Sequence, residues 1–260
     1  MSVVAVASVR SSGVTTLAIG LASVWPSQRQ RLVVEADPAG GTLAAAAGFP
    51  CEPGLVSLAA AARRHDDPAV ALEHCQSLPG GTVALCGPPN AERARSALTM
   101  LSGLLGRLCE LDGDVFEDCG RIELSASNAT YFEQADLGVL AVRPRLADLH
   151  ALGSLLQNHT DQLRSSTLVL IGPGPYSGAE VADALGVDVA GQIPWDPDAA
   201  QMLASAAADS RQLTRTPLVR ALRTLADALA CRLEPRPADA RPASVARADK
   251  GPRSAIEVAK

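Results

Sequence analysis

The sequence predicts an α/β fold, a doubly wound and mostly parallel sheet with helices on both faces. Three observations predict it. Short apolar, β-branched runs alternate along the chain with longer stretches of helical periodicity. Most of those runs are continuously apolar rather than alternating, as strands covered on both faces are. The 260 residues are 47% hydrophobic but only 3% aromatic, so a single sizeable core has to be built from Ala, Val and Leu.

The first strand is the run Val3 to Val9, followed by the tight loop RSSG and the periodic stretch TTLAIGLASVW. RLVVEADPAGG supplies a second strand ending on Asp37, with a Pro/Gly turn behind it. Further strands are expected at Thr82 to Cys86, Val115 to Asp118, Gly138 to Val142, Thr167 to Ile171 and Val187 to Gln192. Helices are expected at Leu55 to Arg64, Ala69 to Gln76, Ala91 to Glu110, Leu146 to Asn158, Ala179 to Leu185, Pro197 to Ala208 and Pro217 to Leu233. The composition then changes to PRPADARPASVARADKGPRSAIEVAK, which buries too little apolar surface to offset its ordering entropy. The expected organisation is one domain over 1–233 and a disordered tail over 234–260.

Charge and cysteine usage narrow the function classes. A net charge of -5 gives no strong signal for gripping nucleic acid. A basic cluster among Arg211, Arg215, Arg220 and Arg223 is most simply a solvated helix face. No apolar run reaches the ~20 residues of a membrane span, and the tail has no amphipathic membrane-targeting pattern. The N-terminus lacks the basic start of a secretion signal. Six cysteines without a CxxC pair read as small buried hydrophobes in a reducing, cytoplasmic setting. The run His65, Asp66, Asp67 and His74 read as solvated. Trp25 reads as a packing residue, and Trp195 as packing or as the wall of a pocket.

The strongest local signal is VRSSGVTT, a Gly-containing loop between the first strand and a helix that opens on Thr15 and Thr16. Such loops cradle phosphates with backbone N–H groups, neutralise them with a lysine, and bind Mg²⁺ through a Ser/Thr hydroxyl. Of 23 Lys plus Arg, only Lys250 and Lys260 are lysine. The loop has the shape without the charge. A second reading of Gly13, Thr15 and Thr16 is a turn glycine followed by helix-capping hydroxyls.

At this loop the sequence resembles the ParA/MinD ATPases, P-loop proteins whose deviant Walker A motif reads KGGxGKT[ST]. Laid on that motif, Val9 takes the signature lysine, Arg10 and Ser11 the first two glycines, Ser12 the variable position and Gly13 the third glycine. Val14 takes the P-loop lysine, and Thr15 and Thr16 the hydroxyl pair. LVVEADPAGG is similar to the second-strand motif, placing Asp37 where the family positions Mg²⁺ and the attacking water. DVFEDCGR is similar to the Walker B strand, with Asp118 at the Mg²⁺ position and an unusual charge at Glu117. ADLGVLAVRP, LVLIGPGP and VAGQIPWDPDA follow the later strands, with Pro194 to Asp196 at the adenine-side loop and Gly172 where many members carry an adenine-reading asparagine. The resemblance covers about residues 1–232.

It implies a site for ATP or ADP with Mg²⁺, formed by Arg10, Ser11, Ser12, Gly13, Val14, Thr15, Thr16, Pro194 and Asp196. Thr15, Asp37 and Asp118 would face the metal, and Asp37 would serve catalysis. It also implies a protein partner, a homodimer, and roles in partition, septum-site placement or positioning of a pilus or secretion apparatus. With both lysines absent, weak or no hydrolysis is expected, and the chain reads as a pseudo-ATPase. The alternatives are an active ATPase in which Arg10 or a partner's residue replaces the lysines, and a scaffold without nucleotide. Arg143 and Arg145, at the carboxyl edge of a strand, are placed to meet phosphate or a partner's acid, or to stand in solvent.

Overall fold

Every apolar run identified above is a strand of one sheet. The computed structural model describes residues 2–122, 132, 134–158, 163, 166–205 and 210–233, so the stretch 234–260 lies outside the described residues. The strands are β1 (Ser2–Ser8), β2 (Gln30–Glu35), β3 (Gln76–Ser77), β4 (Thr82–Leu85), β5 (Gly113–Arg121), β6 (Leu137–Val142), β7 (Thr167–Ile171) and β8 (Val189–Ile193). Their spatial order is β3-β4-β2-β5-β1-β6-β7-β8. All pairings are parallel except that of β3 with β4. The expected fold class is the one observed.

The helices among the described residues are α1 (Val14–Val24), α2 (Leu43–Ala47), α3 (Leu55–Ala61), α4 (Val70–Glu73), α5 (Ala91–Gly106), α6 (Leu146–Asn158), α7 (Gly178–Leu185), α8 (Pro197–Ala204), α9 (Ser210–Leu213) and α10 (Pro217–Leu233). They divide between the two faces. One face joins α1, α2, α8, α9 and α10 to Val4, Val6, Val33 and Phe116. The other joins α3, α5, α6 and α7 to Ala5, Ala7, Val115 and Cys119. Adjacent residues of a strand therefore serve opposite cores, which is why the central stretches of these strands are apolar on both faces. On the first face Trp25 packs edge-on to Phe116 at 5.1 Å between ring centroids.

Four expectations change. β2 stops at Glu35, so Asp37 lies in the loop beyond it. The helix expected to reach Gln76 ends at Glu73, because Gln76 and Ser77 pair with Ala84 and Val83 as the short edge strand β3. α2 was not foreseen; its five residues, LAAAA, are closed by Gly48 in the left-handed conformation (φ 75°). The cysteines are not uniformly buried: Cys86 and Cys119 are, whereas Cys51 and Cys231 are exposed.

Candidate functional site

In an open α/β sheet, ligands bind beyond the carboxyl ends of the strands where the strand order reverses. Here that point is the end of β1, which is central and lies between β5 and β6. The chain leaves β1 through the loop 9–13 and enters α1 at Gly13, which adopts the left-handed region (φ 80°, ψ 36°). An added Cβ on Gly13 would meet nothing within 4 Å, so its outer side is open. Ser12 is buried, and its hydroxyl donates to the Arg10 carbonyl at 2.9 Å. The loop is held by its own hydrogen bonds.

The two positions that the resemblance gives to lysine are part of the cores. Val14 is only 6% exposed and belongs to the α1/α10 face. Val9 packs against the opposite face. Arg10 is turned toward α6, where its Nε lies 3.6 Å from Asp148 Oδ1. The expected substitution of Arg10 for a lysine therefore meets a competing acid.

Beside the loop, the end of β5 carries a buried acid. Asp118 Oδ1 accepts the Gly120 N–H at 3.1 Å, while Oδ2 is buried with no hydrogen-bond partner. Burial pushes this carboxyl up to about 7; the Thr15 hydroxyl and the Gly120 N–H oppose the shift, and Glu35 and Asp37 add to it. Ser8 Oγ, at the end of the neighbouring strand, is also buried and unpartnered. Asp37 Oδ1 accepts the Ala39 N–H at 2.7 Å, and its carbonyl accepts the Gly40 N–H at 3.1 Å. Thr15, Asp37 and Asp118 supply hard oxygen donors of the kind Mg²⁺ takes alongside phosphate oxygens. Among the described residues, no group of three or more His, Cys, Asp or Glu side chains is arranged to hold a metal ion by itself.

Two residues organise this edge without having been singled out. Glu35 is buried, and its Oε1 accepts the N–H groups of Thr42 (2.6 Å) and Leu43 (2.9 Å), while Oε2 accepts that of Gly87 (2.9 Å). One carboxylate thus ties the end of β2 to the start of α2 and to the loop after β4. Burial raises its pKa, against the pull of the three N–H groups. Gly120 is the other. The register of β1 against β5 shifts between Val6 and Ser8, and Gly120 sits in that bulge with φ 62°. The Asp37 carboxyl carbon lies 2.1 Å from where a Cβ on Gly120 would stand. The signal for Glu35 was an acid closing the apolar run LVV; the signal for Gly120 was a glycine two residues after the Walker-B-like acid.

Beyond β7 and β8 lies a pocket of about 200 Å³ bounded by Gly13 and Thr16 on one side and by Ile171, Ile193, Pro194, Trp195 and Asp196 on the other. It brings together the phosphate-loop residues and the adenine-side loop named from the sequence. Asp196 is also committed to capping α8, accepting the Ala199 N–H at 3.0 Å. Arg143 lies over the Trp195 ring, 4.1 Å from its centroid. His74, expected in solvent, is half-buried with Nδ1 2.8 Å from Ser57 Oγ.

No protein-family model matches the chain, and no curated protein matches it in sequence. Solved structures do. The crystal structure of a ParA family ATPase from Chlorobium tepidum TLS superposes with a TM-score of 0.73 at 17% identity, over 86% of this chain and 98% of that one. The fold is that of the ParA/MinD ATPases. The cell division ATPase MinD of Pyrococcus furiosus gives a TM-score of 0.70 at 17% identity, over 89% of this chain and 99% of that one. Septum site-determining protein MinD of Pyrococcus horikoshii OT3, solved with Mg-ADP, gives 0.69 at 15% identity, over 88% and 95%. In this fold the run VRSSGVTT forms the loop between β1 and α1 and the first turn of α1.

Glu117 is unusual for the fold's central strand. Its side chain is buried on the α3/α5 side, level with Val115 and Cys119, and Oε2 has no partner. Burial pushes its carboxyl up to about 8, so it is mostly protonated at neutral pH. Glu117→Met is expected to raise unfolding stability by about 1–3 kcal/mol, since it removes an unsatisfied buried polar group at similar volume. Urea denaturation at pH 7.5 checks this; a loss of stability would mean that the carboxyl has a role in the fold.

Proposed function

We propose that this chain is a degenerate ParA/MinD-type protein that acts as a spatial or assembly regulator through protein binding, with weak or no ATP hydrolysis. The observation that carries the reading is the repacked phosphate loop. Val14 is built into the core, so neither lysine position supplies a charge, and the exposed Arg10 lies 3.6 Å from Asp148, which competes with a phosphate for it. Charge-assisted contacts to phosphate are the strong ones, and transition-state charge in phosphoryl transfer needs them most. Thr15, Asp37 and Asp118 remain as oxygen donors for Mg²⁺, which leaves room for weak binding of ATP or ADP with Mg²⁺.

The processes in question are partition, septum-site placement and positioning of a pilus or secretion apparatus in the cytoplasm. Support comes from the proteins that share the fold, which include septum-site and cell division MinD proteins and ParA family ATPases. MinD of Aquifex aeolicus, of the same fold, is found in complex with MinC. A protein partner, with or without a homodimer, is the corresponding output here. No helix among the described residues is long and apolar enough to cross a membrane.

Calorimetric titration with ATP and Mg²⁺, paired with a phosphate-release assay, tests this reading. Binding no tighter than about 100 μM, or none, with turnover at background is the expected result. Steady hydrolysis would overturn it in favour of an active ATPase; an Arg10→Ala variant that lost that hydrolysis would then identify Arg10 as the substitute cation.

A further inference from the structure

We propose that the pocket beside Trp195 accepts the purine ring of a nucleotide without reading its edge, so that adenine and guanine nucleotides are held alike. This rests on the reading that the carboxyl edge retains a nucleotide-shaped site. At about 200 Å³ the pocket is smaller than the roughly 300–1,000 Å³ of sites that enclose drug-sized ligands. It admits a ring-sized group, with the rest of the ligand outside.

The walls argue for stacking over hydrogen bonding. Ile171, Ile193, Pro194, Pro197, Ala200 and Leu218 offer apolar side chains only. Thr16 and Asp196 are the polar side chains of the lining, and Thr16 stands on the phosphate-loop side. The Gly172 N–H donates to the Ile193 carbonyl at 2.8 Å, and the Gly172 carbonyl accepts from Gln192 Nε2 at 2.8 Å. Asp196 is held by its helix-capping bond to Ala199.

Gly172 cannot acquire a base-reading side chain without moving Trp195. Its φ is +73°, and a Cβ there would come within 2.9 Å of the Trp195 Cβ. The root of the Trp195 side chain, its Cβ, stands where a side chain at position 172 would begin. In a chain with two tryptophans, Trp195 is 52% exposed at the pocket wall, held by the Arg143 guanidinium over its ring. Arg143 Nε is buried without a hydrogen-bond partner, so the stack on Trp195 is the contact that fixes this guanidinium. Arg143 is a positioning residue for Trp195. A π-face accepts any base, and larger ring systems gain more from it, so purines are favoured over pyrimidines without discrimination between the two purines.

The test is calorimetric titration of the full chain with ATP, GTP and CTP, repeated with Trp195→Leu and Arg143→Met, with circular dichroism to confirm that both variants fold. Trp195 and Arg143 lie at the surface end of the strands, so both variants are expected to fold. ATP and GTP should bind within about threefold of each other, CTP about fivefold weaker or more, and Trp195→Leu should weaken both purines by about fivefold or more. Arg143→Met should weaken both purines by the same factor as each other, while Arg143→Lys, which keeps a cation over the ring, restores part of the loss. An ATP preference over GTP beyond tenfold, unchanged purine binding in Trp195→Leu, or no purine binding at millimolar concentration would each overturn the proposal. Absence of binding leaves the regulator reading intact, whereas equal purine affinity accompanied by rapid hydrolysis would overturn that reading and leave this one standing.

Discussion

Glu35→Ala is expected to cost about 3–5 kcal/mol of unfolding stability, a large part of the roughly 5–15 kcal/mol that holds a typical domain. The carboxylate accepts three backbone N–H groups, from Thr42, Leu43 and Gly87, and alanine leaves all three without this acceptor, those of Leu43 and Gly87 in a buried place. It also leaves a cavity, because Gly41 and Gly87 are glycines that let the backbone close on the Glu35 side chain. Glu35→Gln separates the two effects. The amide fills the same volume and keeps one accepting oxygen, but its NH₂ group faces an N–H donor, so its cost is expected to be only about 1–2 kcal/mol. Urea denaturation of the three proteins side by side measures both. If alanine and glutamine cost the same, volume and acceptor count are not what Glu35 supplies.

How much of this was legible beforehand differs between scaffold and site. Most of the longer strands could be read because they are buried on both faces, so their apolar character survives as a run in one dimension; β8 is only partly buried and does not follow this rule. The loop positions could be read because a Gly-containing turn between a strand and a helix has few other uses. Glu35 was not legible as a hub. In LVVEADPAGG two acids stand two apart, and only the closure of the 37–43 loop over β2 shows that the first is the buried acceptor while the second lies in the loop. Nor could Arg10 be assigned from spacing, since its neighbour Asp148 is far away in sequence and reaches it only because β6 and α6 lie beside β1. Trp195 was read as packing or as a pocket wall, and the choice between them depended on Gly172 being too close to it to carry a side chain. Each of these missed points is a contact between segments remote in sequence, which local periodicity does not encode.

Gly120→Ala is the second large effect, and it probes the site more directly than Glu35 does. Two costs add. Alanine at φ 62° is strained, and its Cβ would stand 2.1 Å from the Asp37 carboxyl carbon, a separation that forces Asp37 or the β5 bulge to move. A loss of about 2–4 kcal/mol is expected, measured by thermal or urea unfolding. The strain component belongs to Gly120 alone, whereas the clash belongs to the pair, so a double-mutant cycle divides them. Asp37→Ala removes the carboxyl group but keeps its Cβ, and in that background Gly120→Ala should cost about 1–2 kcal/mol less than it does alone. Additive costs would mean that Asp37 swings away freely and is not seated on Gly120. A coupling of the expected size would mean that the bulge in β5 sets the position of Asp37 beside Asp118. The carboxylates of this edge would then be placed by backbone geometry that depends on glycines and strand register rather than on charge.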